Sequence, residues 1–266
     1  TIANIILFLF MLNFFPSHSQ TSSETLELQQ KLQQKLDSLQ QEHKFPGATF
    51  AVVLPNGENI NIATGVADSL DMTPMDPQHR MLSGSNGKTF FTAAALILET
   101  NGLYDLDDPI SEMIGDEPWF HRIPNAQNIT MRMLMNHTSG ITEYYPLGDF
   151  MEKLRKDPSR SFKPLETISY VFDTAPLFKA GTDMSYADTN FLLLAYILEK
   201  VGELDMYGMI REHLLDPYGL DATEPSGNLV RMLSQFFFCS ALSNERTGAP
   251  DLSSSFSTST SMVAAA

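Results

Sequence analysis

The chain has 266 residues, with 17 Lys and Arg against 32 Asp and Glu and a formal charge of −15 at pH 7. Hydrophobic residues make up 43% and charged residues 18%, a balance that supports a sizeable core and excludes a chain disordered throughout. No cluster of Lys and Arg interrupts the acidity, which argues against a nucleic-acid partner, because a phosphate backbone needs a basic patch.

Residues 1–20 stand apart. Ile2 to Phe15 are nearly all apolar, and Pro16-Ser17-His18-Ser19-Gln20 follows. About fourteen apolar residues span roughly 21 Å as a helix, short of a bilayer core of roughly 30 Å. The length suits the apolar part of a secretory signal, and Ser17-x-Ser19 offers a small-x-small cleavage site. An initiator Met and a basic leader are missing, so the segment reads as an incomplete signal peptide. A secreted or periplasmic location is expected, with no membrane span after its removal.

Ser22 to His43 is predicted as an exposed helix with Leu26, Leu28, Leu32, Leu36 and Leu39 as its apolar stripe, stopped at Phe45-Pro46-Gly47. Thr49 to Leu54 and Asn59 to Ala63 read as strands joined by the turn signal Pro55-Asn56-Gly57. Lys88 to Glu99 has helical periodicity and ends at Asn101-Gly102. Phe191 to Val201 and Met206 to Leu215 are further helices. Strands followed by a long helical region suggest an α/β layer with an inserted all-α part. Cys239 is the sole cysteine, which rules out an internal disulfide, and its apolar neighbours suit a small buried hydrophobe. The six histidines show no spacing that sets two ligands beside one metal, and no cofactor is expected.

Two segments carry candidate chemistry. In Ser83-Gly84-Ser85-Asn86-Gly87-Lys88-Thr89, Ser85 and Lys88 are three apart and share a helical face. A serine is a poor nucleophile until a base takes its proton. A lysine pushed toward neutrality by burial or neighbouring cations can be that base. A helix N-terminus also supplies N–H groups to an oxyanion. An N-capping serine followed by a solvated lysine is the structural alternative. Gly87-Lys88-Thr89 is also the ending of a phosphate-binding loop, but that motif needs glycine where Leu82 stands. The second segment, Ser185-Tyr186-Ala187-Asp188, can project a phenol and a carboxylate into one cleft. Its structural alternative has Asp188 or Thr189 capping the helix and Tyr186 as a surface aromatic.

Taken in order, the pieces resemble the serine β-lactamase and penicillin-binding superfamily, in its class C and D-alanyl-D-alanine carboxypeptidase branch. They are Phe45-Pro46-Gly47-Ala48, Gly65-Val66-Ala67-Asp68, Gly84 to Phe90, Asp105 to Ile110, Leu134-Met135-Asn136-His137-Thr138-Ser139-Gly140-Ile141, Gly181 to Asn190, and Asp216 to Leu220. The resemblance implies a β-lactamase/transpeptidase-like α/β plus all-α fold: an antiparallel sheet flanked by helices, with an inserted helical domain. The domains expected from it are a signal at 1–20, an N-terminal α/β part with the nucleophile helix at 21–96, an all-α domain at 97–226, and the start of a return to the sheet at 227–266. It implies Ser85 as acylated nucleophile, Lys88 as base or proton shuttle, Tyr186 as a partner in proton transfer, and Asp188 as a substrate-binding residue. Asp188 falls where the family commonly has Asn, and a carboxylate accepts but does not donate. His137 and Ser139 read as holding a buried turn.

The family's third motif, Lys/His-Thr/Ser-Gly, has no convincing match. Arg246-Thr247-Gly248 lies among loop-like neighbours and reads as a chance match. The tail from Ser259 to Ala266 resembles a segment that precedes the missing strands, so a C-terminally truncated member is expected, with an incomplete sheet, poor activity and poor stability. The activity implied is acyl-enzyme hydrolysis of β-lactams, D-Ala-D-Ala peptides of the cell wall, D-peptides or small esters. The alternative is a non-catalytic binding relative. Oligomeric state stays open.

Overall fold

In the computed structural model, residues 21–81, 83–157, 160 and 162–224 are described. The signal-like segment, Cys239, Arg246-Thr247-Gly248 and the tail lie outside them. The chain divides into two compact units between His79 and Arg80.

The first unit is a helix and a hairpin. Helix α1 (Ser23–His43) begins at an N-cap, Ser22, whose side chain accepts the Thr25 N–H, and ends at Lys44 in the left-handed conformation. Strands β1 (Gly47–Val53) and β2 (Asn59–Gly65) pair antiparallel, from Gly47 opposite Gly65 to Val53 opposite Asn59. The turn at Pro55-Asn56-Gly57 closes them, with Gly57 at φ 83°. On β2 the side-chain alternation buries Ile60 and Ile62, and α1 packs on this strand. Of the expected stripe, Leu32, Leu36 and Leu39 are partly buried while Leu26 and Leu28 remain exposed. Thr25 is buried instead and donates to Glu58 of the hairpin.

The second unit is helical. A 3-10 turn (Gly84–Gly87) leads into α2 (Lys88–Thr100). Short helices α3 (Ser111–Ile114), α4 (Met131–Met135), α5 (Phe150–Lys156) and α6 (Pro164–Ile168) follow. Then come α7 (Asp188–Gly202) and α8 (Met206–Ile210), the latter continuing into a π turn, Arg211–Leu215. The periodicity predicts one helix over 206–215 and a start at Phe191 for α7, whereas the structure breaks the first after Ile210 and begins the second at Asp188.

Helix α7 is the centre of this unit. Thr189 to Ala195, Ile197 and Leu198 are all buried, the pattern of a helix surrounded by others. Helices α2, α3, α4, α6 and α8 pack around it, with Ala94, Ala95 and Leu98 from α2, Leu134 from α4 and Met209 from α8 in the same core. Each fully buried Leu or Ile contributes on the order of 1.5–3 kcal/mol, so this one helix anchors the unit and fixes whatever stands at its two ends.

Candidate active site

The geometry starts from the turn before α2. Three residues per turn set Ser85 and Lys88 one above the other, and Lys88 Nζ donates to Ser85 Oγ at 3.4 Å. The Tyr186 hydroxyl comes from just before α7 and shares a 2.7 Å hydrogen bond with Ser85 Oγ. Ser85 and Tyr186 are exposed, whereas Lys88 retains only 9% of its surface. The hydroxyls therefore face solvent and the cation lies beneath them.

Asp188, the first residue of α7, places Oδ1 2.5 Å from Lys88 Nζ. The ammonium also lies 5.0 Å from the centre of the Tyr186 ring and 5.5 Å from that of Phe191. Burial pulls Lys88 toward neutrality, as the sequence suggested. The close approach of the Asp188 carboxylate, then of the Tyr186 oxygen, outweighs it, so its pKa stands above the ordinary lysine value. The sign differs from the expectation of a neutral base because residue 188 is a carboxylate, and an amide there would bring no charge. The four residues singled out from the sequence, Ser85, Lys88, Tyr186 and Asp188, thus lie in one connected cluster.

The turn at 137–140 backs this cluster. His137, at φ 62°, has Nδ1 3.3 Å from the Ala187 backbone N–H that donates to it and 3.2 Å from Asn190 Nδ2. An acceptor at Nδ1 places the imidazole proton on Nε2. Burial, and secondarily the Lys88 charge, holds the His137 pKa below its usual value. Its ring lies against Tyr186 at 4.3 Å between centres. Ser139, fully buried, donates to Asn190 Oδ1 at 2.6 Å and accepts the Ile141 N–H at 3.0 Å. Gly140 has φ 76°, and a Cβ there would come within 2.3 Å of the Phe178 carbonyl oxygen, so glycine is required.

One residue of this cluster escaped the sequence reading. Glu143 Oε2 accepts the Asp188 N–H at 2.5 Å and Oε1 accepts the Tyr144 N–H at 2.8 Å. Neither Asp188 nor Thr189 caps α7: the N-cap position is Ala187, and Thr189 Oγ1 donates to the Thr142 carbonyl at 2.9 Å. The only local signal is an acid immediately after the Thr-Ser-Gly block, which by itself is ordinary. Among the described residues, no group of three or more His, Cys, Asp and Glu is arranged to hold a metal ion, and no helix is long and apolar enough to cross a membrane.

An exposed serine touching a tyrosine hydroxyl above a buried lysine, on a helical unit of this order, defines a member of the β-lactamase and penicillin-binding class of folds. The Beta-lactamase family profile matches residues 32–226, and the chain belongs to that family. It is 28% identical to a D-aminopeptidase of Brucella anthropi over 185 residues, which is 69% of this chain and 34% of the relative. It is 26% identical to penicillin-binding protein 4 of Amycolatopsis lactamdurans over 190 residues, 71% of this chain and 47% of the relative. The crystal structure of a D-stereospecific amidohydrolase from Streptomyces superposes with a TM-score of 0.62 at 25% identity, covering 71% of this chain and 54% of that one. The chain spans less than half the length of these two curated relatives.

Proposed function

We propose that the protein is a serine hydrolase working through an acyl-enzyme on Ser85. The observation that carries this reading is the contact of Ser85 Oγ with Tyr186 OH at 2.7 Å and with Lys88 Nζ at 3.4 Å. In the acylation step Ser85 Oγ bonds to the substrate carbonyl carbon. The serine proton passes to the Tyr186 oxygen as the phenol gives its own proton toward the leaving group, and the bond from the carbonyl carbon to that group breaks. Lys88, held charged by Asp188, stabilises negative charge that develops on the two oxygens during the transfer. Water then reverses the sequence and releases the acid. Asp188, an acceptor only, meets a substrate N–H rather than a carbonyl.

Names among the relatives and solved structures favour amides and peptides of D-residues. β-Lactams, D-Ala-D-Ala peptides and small esters share the same carbonyl chemistry. The apolar segment at the N-terminus supports export to a compartment where such substrates occur.

The test is labelling of the purified protein with a fluorescent penicillin and, separately, a fluorophosphonate. The expected result is an adduct on Ser85 with at least one probe, lost in Ser85→Ala. A folded protein that neither probe modifies at Ser85 overturns the reading.

A further inference from the structure

We infer that Glu143 is a positioning residue: its carboxylate ties the first N–H of α7 to the turn after Gly140, and so holds Tyr186 on Ser85 and Asp188 on Lys88. The kinetic consequence rests on the serine-hydrolase reading above, whereas the positioning itself rests on geometry alone.

The N–H groups of a helix's first turn need acceptors that the helix does not supply. In α7 the N-cap is Ala187, which has no side-chain acceptor. Glu143 comes from 45 residues earlier and fills that role through Oε2, at 2.5 Å from the Asp188 nitrogen. Oε1 meanwhile accepts the Tyr144 N–H at 2.8 Å and lies 3.5 Å from Thr189 Oγ1. A charge-assisted bond at a helix N-terminus is among the stronger ones. The residue it grips is the one whose side chain neutralises Lys88, and Tyr186 lies two positions before it. Loosening this bond frees the start of α7 at the point where both functional contacts are made.

The surroundings make the grip sensitive to pH. Burial, and then the Asp188 charge, pushes the Glu143 carboxyl up to about 7, against the hydrogen bonds it accepts and the opposing Lys88 charge. The titratable groups that face it are Asp188, Lys88 and Tyr144, and His137 interacts with the same Lys88 and Asp188 charges. Above neutrality the carboxylate accepts at both oxygens. Below it a proton occupies one oxygen and the grip weakens. Acylation should therefore rise with pH on a limb centred near neutrality that belongs to Glu143.

The experiment measures the rate constant for Ser85 labelling from pH 5 to pH 9 in the wild type and in Glu143→Gln, which keeps the shape and removes the ionisation. The expected outcome is a limb near pH 7 in the wild type that is absent in Glu143→Gln, with a rate about ten-fold lower at pH 8, as small misplacements of reacting groups produce. An unchanged limb in Glu143→Gln overturns the inference. Crystal structures of wild type and Glu143→Ala supply a readout free of activity. The Tyr186–Ser85 and Lys88–Asp188 contacts should lengthen, and contacts that stay unchanged overturn the inference. If Glu143→Ala does not fold, the Glu143→Gln crystal structure gives the same comparison. If neither probe labels the wild type, the hydrolase reading fails while the crystal comparison still decides the role of Glu143.

Discussion

Lys88 and Asp188 decide the character of the site at the scale of single residues. Their side chains keep 10% and 13% of their surface and stand 2.5 Å apart. Removing one partner of such a pair leaves the other charge buried without compensation, at a cost of about 3–5 kcal/mol. Asp188→Ala should lose stability of that order in urea unfolding, and Asp188→Asn less, because the amide oxygen keeps a negative dipole end beside the ammonium. Linkage fixes the sign with pH. The folded pKa of Lys88 is raised above the ordinary 10.5, so the pair's stabilisation is fully present below that value and is lost only as pH rises through the folded pKa. In Asp188→Asn the burial that now opposes the charge prevails, and the Lys88 pKa should fall below the ordinary value in a nitrogen-15 NMR titration. A Lys88 pKa left above the ordinary value in that variant would show that Asp188 does not set the charge.

Elements show where a sequence can and cannot be read. Helix α1, the hairpin and α2 follow from periodicity and turn residues alone, because 3.6-residue spacing and Pro-Asn-Gly act locally. The start of α7 was placed three residues late because Asp188, Thr189 and Asn190 look like turn residues; tertiary partners in the 137–143 turn satisfy them instead. Ser85, Lys88, Tyr186 and Asp188 were legible because a family's motif order names them. Glu143 was not, because an acid becomes a helix cap only once the fold brings it to α7. The same physics governs the start of α1. Glu58 in the hairpin accepts from Ser22 N, Ser22 Oγ, Thr25 Oγ1 and Asn56 Nδ2. These bonds, that from Thr25 foremost, lower its pKa from the usual 4.5 to about 2. A depressed carboxylate pKa contributes stability that is present above the unfolded value and lost as pH falls through the folded one. Acid unfolding followed by circular dichroism should therefore show a loss of stability between about pH 4.5 and pH 2 in the wild type that is smaller in Glu58→Gln, which is already less stable than the wild type at neutral pH. Identical acid profiles would remove Glu58 from the account of α1.

The whole molecule combines a formal charge of −15 with a helical unit whose core surrounds α7. The charge predicts no retention of double-stranded DNA in a mobility-shift assay at physiological salt, and a specific shift there would contradict the exclusion drawn from composition. On the hydrolase reading proposed above, this fold presents Ser85 as a nucleophile, with the 3-10 turn carrying the serine, α2 the lysine, the residues just before α7 the tyrosine, and α7 the carboxylate. The most direct measurement is the intact mass of the protein, expressed in its native reading frame, quenched within seconds of mixing with p-nitrophenyl acetate, followed by peptide mapping. The account predicts a single acetyl group on Ser85 that disappears on longer incubation and never forms in Ser85→Ala. A folded wild type that carries no acetyl group, or one that forms equally in Ser85→Ala, would contradict it.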